Sequence, residues 1–291
     1  ALSSAASDVY KRQSYTYDAA GNRATMTRNG IVTTYSYDAN NRMTAEQTGT
    51  NVKTFLYDAN GNQLSALFNF NFAGAYTYDL FGRQTSYTPD EVGYTYYTYR
   101  PDDLRHSIGN TVHVWSGTNI VADIKGGTTT VYFRGIGLIF AETSGTRTYY
   151  HQNAHGDVIM LTDGTGTILT TYEYDAFGRE WDALDSDNNP FRYCGEYFDK
   201  QTKTIYLRAR YYDSAYGRFT QQDGWQYADV NDPLSLNLYT YCWNNPVNMV
   251  DPTGHFCISA IIIGAIVGAV IGAGIVGYQD YKDDGKIFRL C

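Results

Sequence analysis

Through the first hundred residues tyrosines alternate with small hydroxyl side chains, as in Tyr35-Ser36-Tyr37 and Tyr76-Thr77-Tyr78. A period of two puts the rings on one face of an extended strand and the hydroxyls on the other. Such stretches close on a Tyr-Asp dyad at Tyr17-Asp18, Tyr37-Asp38, Tyr57-Asp58 and Tyr78-Asp79, at spacings of 20, 20 and 21. After each dyad comes a turn signal, Ala20-Gly21-Asn22-Arg23, Asn40-Asn41-Arg42, Asn60-Gly61-Asn62 and Phe81-Gly82-Arg83, in which Gly or Asn can take positive φ. Each unit therefore reads as strand, tight turn, strand, and the repeated Asp is predicted to accept backbone N–H bonds in the turn rather than to do chemistry. One hairpin cannot bury its aromatic face but stacked hairpins can, so the pattern predicts an all-β repeat array. The dyad returns at Tyr172-Glu173-Tyr174-Asp175-Ala176-Phe177-Gly178-Arg179. Four or five such units are expected to leave the sheet open, with unpaired edges.

The two ends break the pattern. Residues 1–13 have no apolar core after a basic start, and Ser3 to Gln13 reads as an in-frame translation of a transposase-type sequencing adapter. This tail is set aside as an adapter scar, and the chain is expected to be a fragment. Residues 256–278 form a run of 23 without a charge, long enough as a helix to span a hydrocarbon layer of about 30 Å. Gly264, Gly268 and Gly272 share one helical face there, a pattern that lets a second helix or a membrane neighbour approach closely.

Composition supports the β reading and narrows the function. The 29 Tyr and 28 Gly against 6 Pro and 4 Met favour short strands between Gly and Asn turns. A net charge of −8 with no basic run excludes sequence-neutral nucleic-acid binding by phosphate neutralisation. Cys194, Cys242, Cys257 and Cys291 show no Cys-x-x-Cys pair, and His151 and His155 lack a helical context, so no metal and no cofactor are predicted. No phosphate loop or nucleophile elbow is present.

The dyads resemble those of the bacterial rearrangement-hotspot (RHS) or YD-repeat proteins. The stretch from Tyr206 through Arg208, Arg210, Tyr211-Tyr212-Asp213, Tyr216 and Gly217 to Phe219, with Asn237-Leu238-Tyr239-Thr240-Tyr241 and the segment Asn244 to Gly254, is similar to the family's core-domain signature. The resemblance covers roughly residues 14–255. It implies a spiralling antiparallel sheet of tyrosine-aspartate hairpins, a shell like that of teneurins and of the C component of insecticidal ABC toxin complexes. It further implies YD repeats over 14–180, an RHS repeat-associated core domain over 181–255, and a variable region with one hydrophobic Gly-rich helix from 256.

In that family the core domain cuts its own chain after a D-P-x-G-x motif, which here matches Asp251-Pro252-Thr253-Gly254-His255. The scissile bond would be His255-Phe256. The resemblance points to Asp223 as the partner of Asp251, after Arg218-Phe219, with Asp232 before Pro233 as a rival and Arg218 as a support for the ionised carboxylate. Two carboxylates suit hydrolysis because like-charge repulsion splits their titrations, leaving one acid and one base. The expected function is therefore a toxin-encapsulating shell, secreted or on a bacterial cell envelope, that releases its C-terminal effector by a single-turnover aspartyl self-cleavage. The expected partners are its own C-terminal toxin segment and, through 256–278, a membrane. The alternative is a non-enzymatic surface scaffold that binds carbohydrate or a receptor through its tyrosine faces and stays uncut.

Overall fold

A computed structural model describes residues 13–90, 93–181 and 187–259. Seventeen strands, from β1 (Gln13–Tyr17) to β17 (Ile168–Thr171), form one antiparallel sheet. Each strand pairs with the next in sequence, so the sheet is a continuous meander.

The dyads explain its regularity. Asp18 Oδ1 accepts the N–H of Ala20 at 2.9 Å and of Asn22 at 2.8 Å. Asp38, Asp58, Asp79 and Asp175 repeat the same two bonds to the residues two and four ahead. These are Asx turns, as the sequence predicts. Three dyad tyrosines have their own bond, and so does Tyr99, which precedes Arg100: Tyr37, Tyr78, Tyr174 and Tyr99 donate their hydroxyls to the carbonyls of Arg23, Gln63, Val158 and Gln84 at 2.8–2.9 Å. A ring that must bury and also satisfy a backbone carbonyl is a tyrosine rather than a phenylalanine.

Alternate positions do separate by face. Tyr35, Tyr76, Tyr97 and Tyr132 are buried, while on the other side hydroxyls pair across strands, Thr77 with Ser86 at 2.7 Å and Thr98 with Ser107 at 2.6 Å.

Residues 187–259 lie against the aromatic face. They hold a four-stranded sheet, β18 (Tyr197–Asp199), β19 (Thr204–Leu207), β20 (Arg210–Asp213) and β21 (Arg218–Phe219), and a two-stranded ribbon, β22 (Met249–Val250) with β23 (Ile258–Ser259). Phe191, Tyr197, Tyr206 and Tyr211 share one core cluster with Tyr76, Tyr97 and Tyr132 of the large sheet. Asn237 Nδ2 donates to Ala20 O at 2.9 Å and Tyr239 Oη to Gly61 O at 2.8 Å, so the turns of the large sheet are pinned as well as its face.

Among the described residues the sheet stays open, as expected, with β1 paired only to β2 and β17 only to β16, but it runs further than the dyads do and its ends touch through side chains. Strands continue through residues 95–171, where the dyad is largely absent but Asn153 and Asp163 build the same turn. The two ends of the meander also meet: Tyr15 of β1 packs edge-on against Phe177, just beyond β17, at 5.1 Å, and Arg23 lies over the Phe177 ring at 4.1 Å. The hydrophobic helix with Gly264, Gly268 and Gly272 lies outside the described residues. Near the start of that run, Ile258–Ser259 are a strand. Among the described residues no helix is long and apolar enough to cross a membrane.

Candidate active site at the carboxylate pair

The segment Asp251 to Phe256 wraps around one carboxylate oxygen. Asp251 Oδ1 accepts the N–H groups of Thr253 at 3.2 Å, Gly254 at 2.8 Å, His255 at 3.2 Å and Phe256 at 3.1 Å, and the Thr253 hydroxyl at 3.2 Å. Pro252 has no N–H to offer and fixes the turn's first dihedral. Gly254 completes it at φ +79°, where a Cβ would stand 2.5 Å from Leu207 O and 3.1 Å from Arg210 N. Only glycine lets the loop lie this close to the β19–β20 hairpin.

Asp223 approaches from the strand side. Its N–H bonds to Leu238 O at 3.0 Å, and its Oδ1 lies 2.6 Å from His255 Nδ1. Asp223 Oδ2 pairs with Arg210 Nη2 at 2.9 Å, and the same guanidinium nitrogen is 3.9 Å from Asp251 Oδ2. One cation thus stands between the two acids, so Asp223 and Asp251 come together as the sequence expects. Asp251 is 2% exposed. Burial pushes its carboxyl above the ordinary range, and Arg210 and the convergent N–H groups offset this only in part.

The arginine is not the one expected. Arg218 donates to Asn41 O at 2.5 Å and lies over the rings of Tyr37 and Tyr239, so it ties the core segment to the repeats. Arg210 takes the electrostatic role, buried on the Phe219 ring at 3.5 Å, with Nη1 on Leu238 O at 3.0 Å and Nε on Gly254 O. The pairing Leu207↔Arg210 and the left-handed Arg208 at the hairpin tip turn Arg210 inward and send Arg208 out to Glu196. The Arg-x-Arg of the signature carried this information, but not which arginine faces in. Asp232 caps the short turn Pro233–Leu236 by accepting Leu234 N–H at 3.1 Å and has no part in the site.

Tyr227, also missed from sequence, clamps the bond between residues 255 and 256. It stacks on the His255 ring at 4.1 Å and takes the Phe256 ring edge-on at 5.0 Å. Phe256 itself is 57% exposed. Both acids, Tyr227 and His255 line a cleft of ≈ 100 Å³, enough for a few waters. The arrangement gathers the chain at residues 255 and 256 against two carboxyls, Asp223 on the His255 ring and Asp251 on both N–H groups.

A second polar cluster lies nearby. His151 turns to the Thr162 hydroxyl at 3.0 Å, whereas His155 meets Asp157 and Cys194. Sequence spacing pairs the two histidines, but the partners that meet come from the next turn residue and from the core segment.

The family model for the teneurin YD-shell matches residues 2–247, ending four residues before Asp251. The tRNA3(Ser)-specific nuclease WapA of Bacillus spizizenii is 32% identical over 257 residues, covering 83% of this chain and 11% of the relative. Toxin protein Tse5 of Pseudomonas aeruginosa is 31% identical over 125 residues, 40% of this chain and 8% of that one. The chain thus spans about a tenth of the length of these relatives. Among solved structures, the Photorhabdus luminescens Tc holotoxin pore overlays with a TM-score of 0.51 at 15% identity, over 84% of this chain and 17% of that one, which shows a common fold. With the model matching most of its length and the dyad turns built alike from Asp18 to Asp175, the chain belongs to the RHS/YD-repeat proteins, the family of the teneurin YD-shell.

Proposed function

We propose that this chain is the C-terminal part of a bacterial toxin shell that frees its effector by cutting itself between His255 and Phe256. The observation that carries the reading is that both acids hold His255, Asp223 by its ring and Asp251 by its N–H, and that Asp251 also accepts the Phe256 N–H. Residues 14–180 then serve as shell, 181–255 as core domain and 256–291 as the start of the released piece. The relatives WapA and Tse5, a nuclease and a toxin by name, support a secreted or envelope-bound toxin with its own C-terminal segment as cargo.

The chemistry assigns the roles. Asp223, ion-paired to Arg210, takes a proton from water in the cleft as the water oxygen bonds to the His255 carbonyl carbon. Asp251, its carboxyl raised by burial, gives its proton to the Phe256 nitrogen as that nitrogen turns pyramidal and the C–N bond breaks. Products are a carboxyl at residue 255 and an amine at 256. Because enzyme and substrate are one chain, the effective concentration is high and turnover stops at one.

The test is a denaturing-gel time course of the purified chain beside Asp251→Asn and Asp223→Asn. Cleavage in the wild type and at least about a hundredfold slower cutting in each variant supports the reading. A folded wild type that stays whole overturns it and favours an uncut binding scaffold.

A further inference from the structure

The turn from Asn153 to Asp157, between β15 (Thr146–Gln152) and β16 (Val158–Thr162), meets the loop before β18 with three unlike donors. His155 Nδ1 lies 3.0 Å from Asp157 Oδ1 and 3.7 Å from Cys194 Sγ, and the three donor atoms are all within 4.8 Å of one another. A tetrahedral zinc ion with Zn–S of about 2.3 Å and Zn–N and Zn–O of about 2.0–2.1 Å sets N···S near ~3.6 Å and N···O near ~3.3 Å. The two spacings to His155 are close to those edges before any ion is placed.

The second observation concerns the imidazole's other nitrogen. His155 Nε2 is 3.3 Å from Met249 O, and a carbonyl can only accept, so Nε2 carries the hydrogen. In the neutral ring Nδ1 then presents a lone pair on the side of the Asp157 carboxylate and the Cys194 sulfur, which also meets the Tyr241 hydroxyl at 3.6 Å. A cation or a proton must sit there. Histidine ligands of structural zinc are commonly oriented in this way, by a backbone carbonyl on the far nitrogen. Asp157 is fixed too, since its Oδ1 accepts Cys194 N–H at 2.8 Å and its Oδ2 accepts Asn153 Nδ2 at 2.8 Å. The cluster opens on a cavity of ≈ 490 Å³ whose lining includes Gln152, Glu196, Arg208 and Asp251, leaving room for water as a fourth ligand.

We propose that His155, Asp157 and Cys194 bind a divalent cation of the zinc class and thereby clasp a hairpin turn of the large sheet to the core segment. Thiolate and imidazole together select zinc-like ions over calcium or magnesium. Through the Met249 carbonyl the clasp also reaches β22, two residues before Asp251.

Cobalt(II) titration of the full chain, stripped with chelator and kept reduced, reads the site directly. The expected result is one equivalent taken up with a near-ultraviolet thiolate-to-cobalt charge-transfer band that zinc bleaches. Cys194→Ala should abolish the band and His155→Gln weaken binding at least tenfold, with circular dichroism showing both variants folded. Cys257→Ala, outside the cluster, should keep the band. Absence of a 1:1 band in the folded wild type overturns the proposal without recourse to any variant. A band that survives Cys194→Ala, or vanishes in Cys257→Ala, overturns it equally.

Discussion

At the scale of single residues, position rather than type decides what an aspartate does. Asp58 and Asp251 both gather N–H groups ahead of them, but only Asp251 is buried beside a second acid and an arginine. Its raised carboxyl gives a pH prediction: self-cleavage needs the protonated acid, so the rate falls as pH rises through the elevated Asp251 pKa. In Asp251→Asn no such limb should remain. Gly254→Ala has a steric cause, since at φ +79° its Cβ would press on Leu207 O. We expect uncut chain and a loss of about 1–3 kcal/mol in denaturant unfolding. Asp251 was legible because the motif residues are contiguous and the Asp-Pro-Thr-Gly order encodes its own turn, whereas Asp223 came from the family resemblance with Asp232 as a rival. Arg210 was not legible, because telling it from Arg208 requires the hairpin register, and Cys194 was not, because it meets His155 only in the fold.

At the scale of strands and turns, the tyrosine-aspartate dyad is a staple, with two aspartate bonds within the turn and, at Tyr37 and Tyr78, a hydroxyl bond back to the preceding strand. Tyr78→Phe keeps the buried ring but leaves Gln63 O without its donor, so we expect a cost of about 1–3 kcal/mol in a denaturant melt. The repeats were readable where the dyad is spelled out. Across 95–171 they were not, because Asn153 and Asp163 build the turn without the tyrosine before them. The β20–β21 turn carries its own titration. Burial raises Asp213 to about 6, with Lys53 opposing. An acid whose pKa is higher folded than unfolded favours folding most when protonated, so its contribution is full below about 4, falls between about 4 and about 6, and is flat above. Asp213→Asn keeps an acceptor for Ala215 N–H and should flatten that part of a melting-temperature series, by at most about 3 kcal/mol.

At the scale of the molecule, the large sheet and the core segment are one folding unit. Arg105 of β10 (Arg105–Ile108) pairs with Asp199 of β18 at 2.7 Å with both side chains fully buried, and its guanidinium lies over the rings of Tyr197 and Tyr206. Asp199→Ala would strand that charge, with an expected loss of about 3–5 kcal/mol and a single cooperative transition at lower denaturant. The spiralling sheet was legible through the family resemblance, but the meeting of its ends was not, since Tyr15 and Phe177 lie far apart in sequence. The proposed self-cleavage concerns one peptide bond, and intact mass spectrometry of the purified chain tests it most directly. The account predicts two wild-type species that sum to the full chain plus one water, with the break between His255 and Phe256 and none in Asp251→Asn. A folded wild type of unbroken mass, or a break at any other bond, would contradict it.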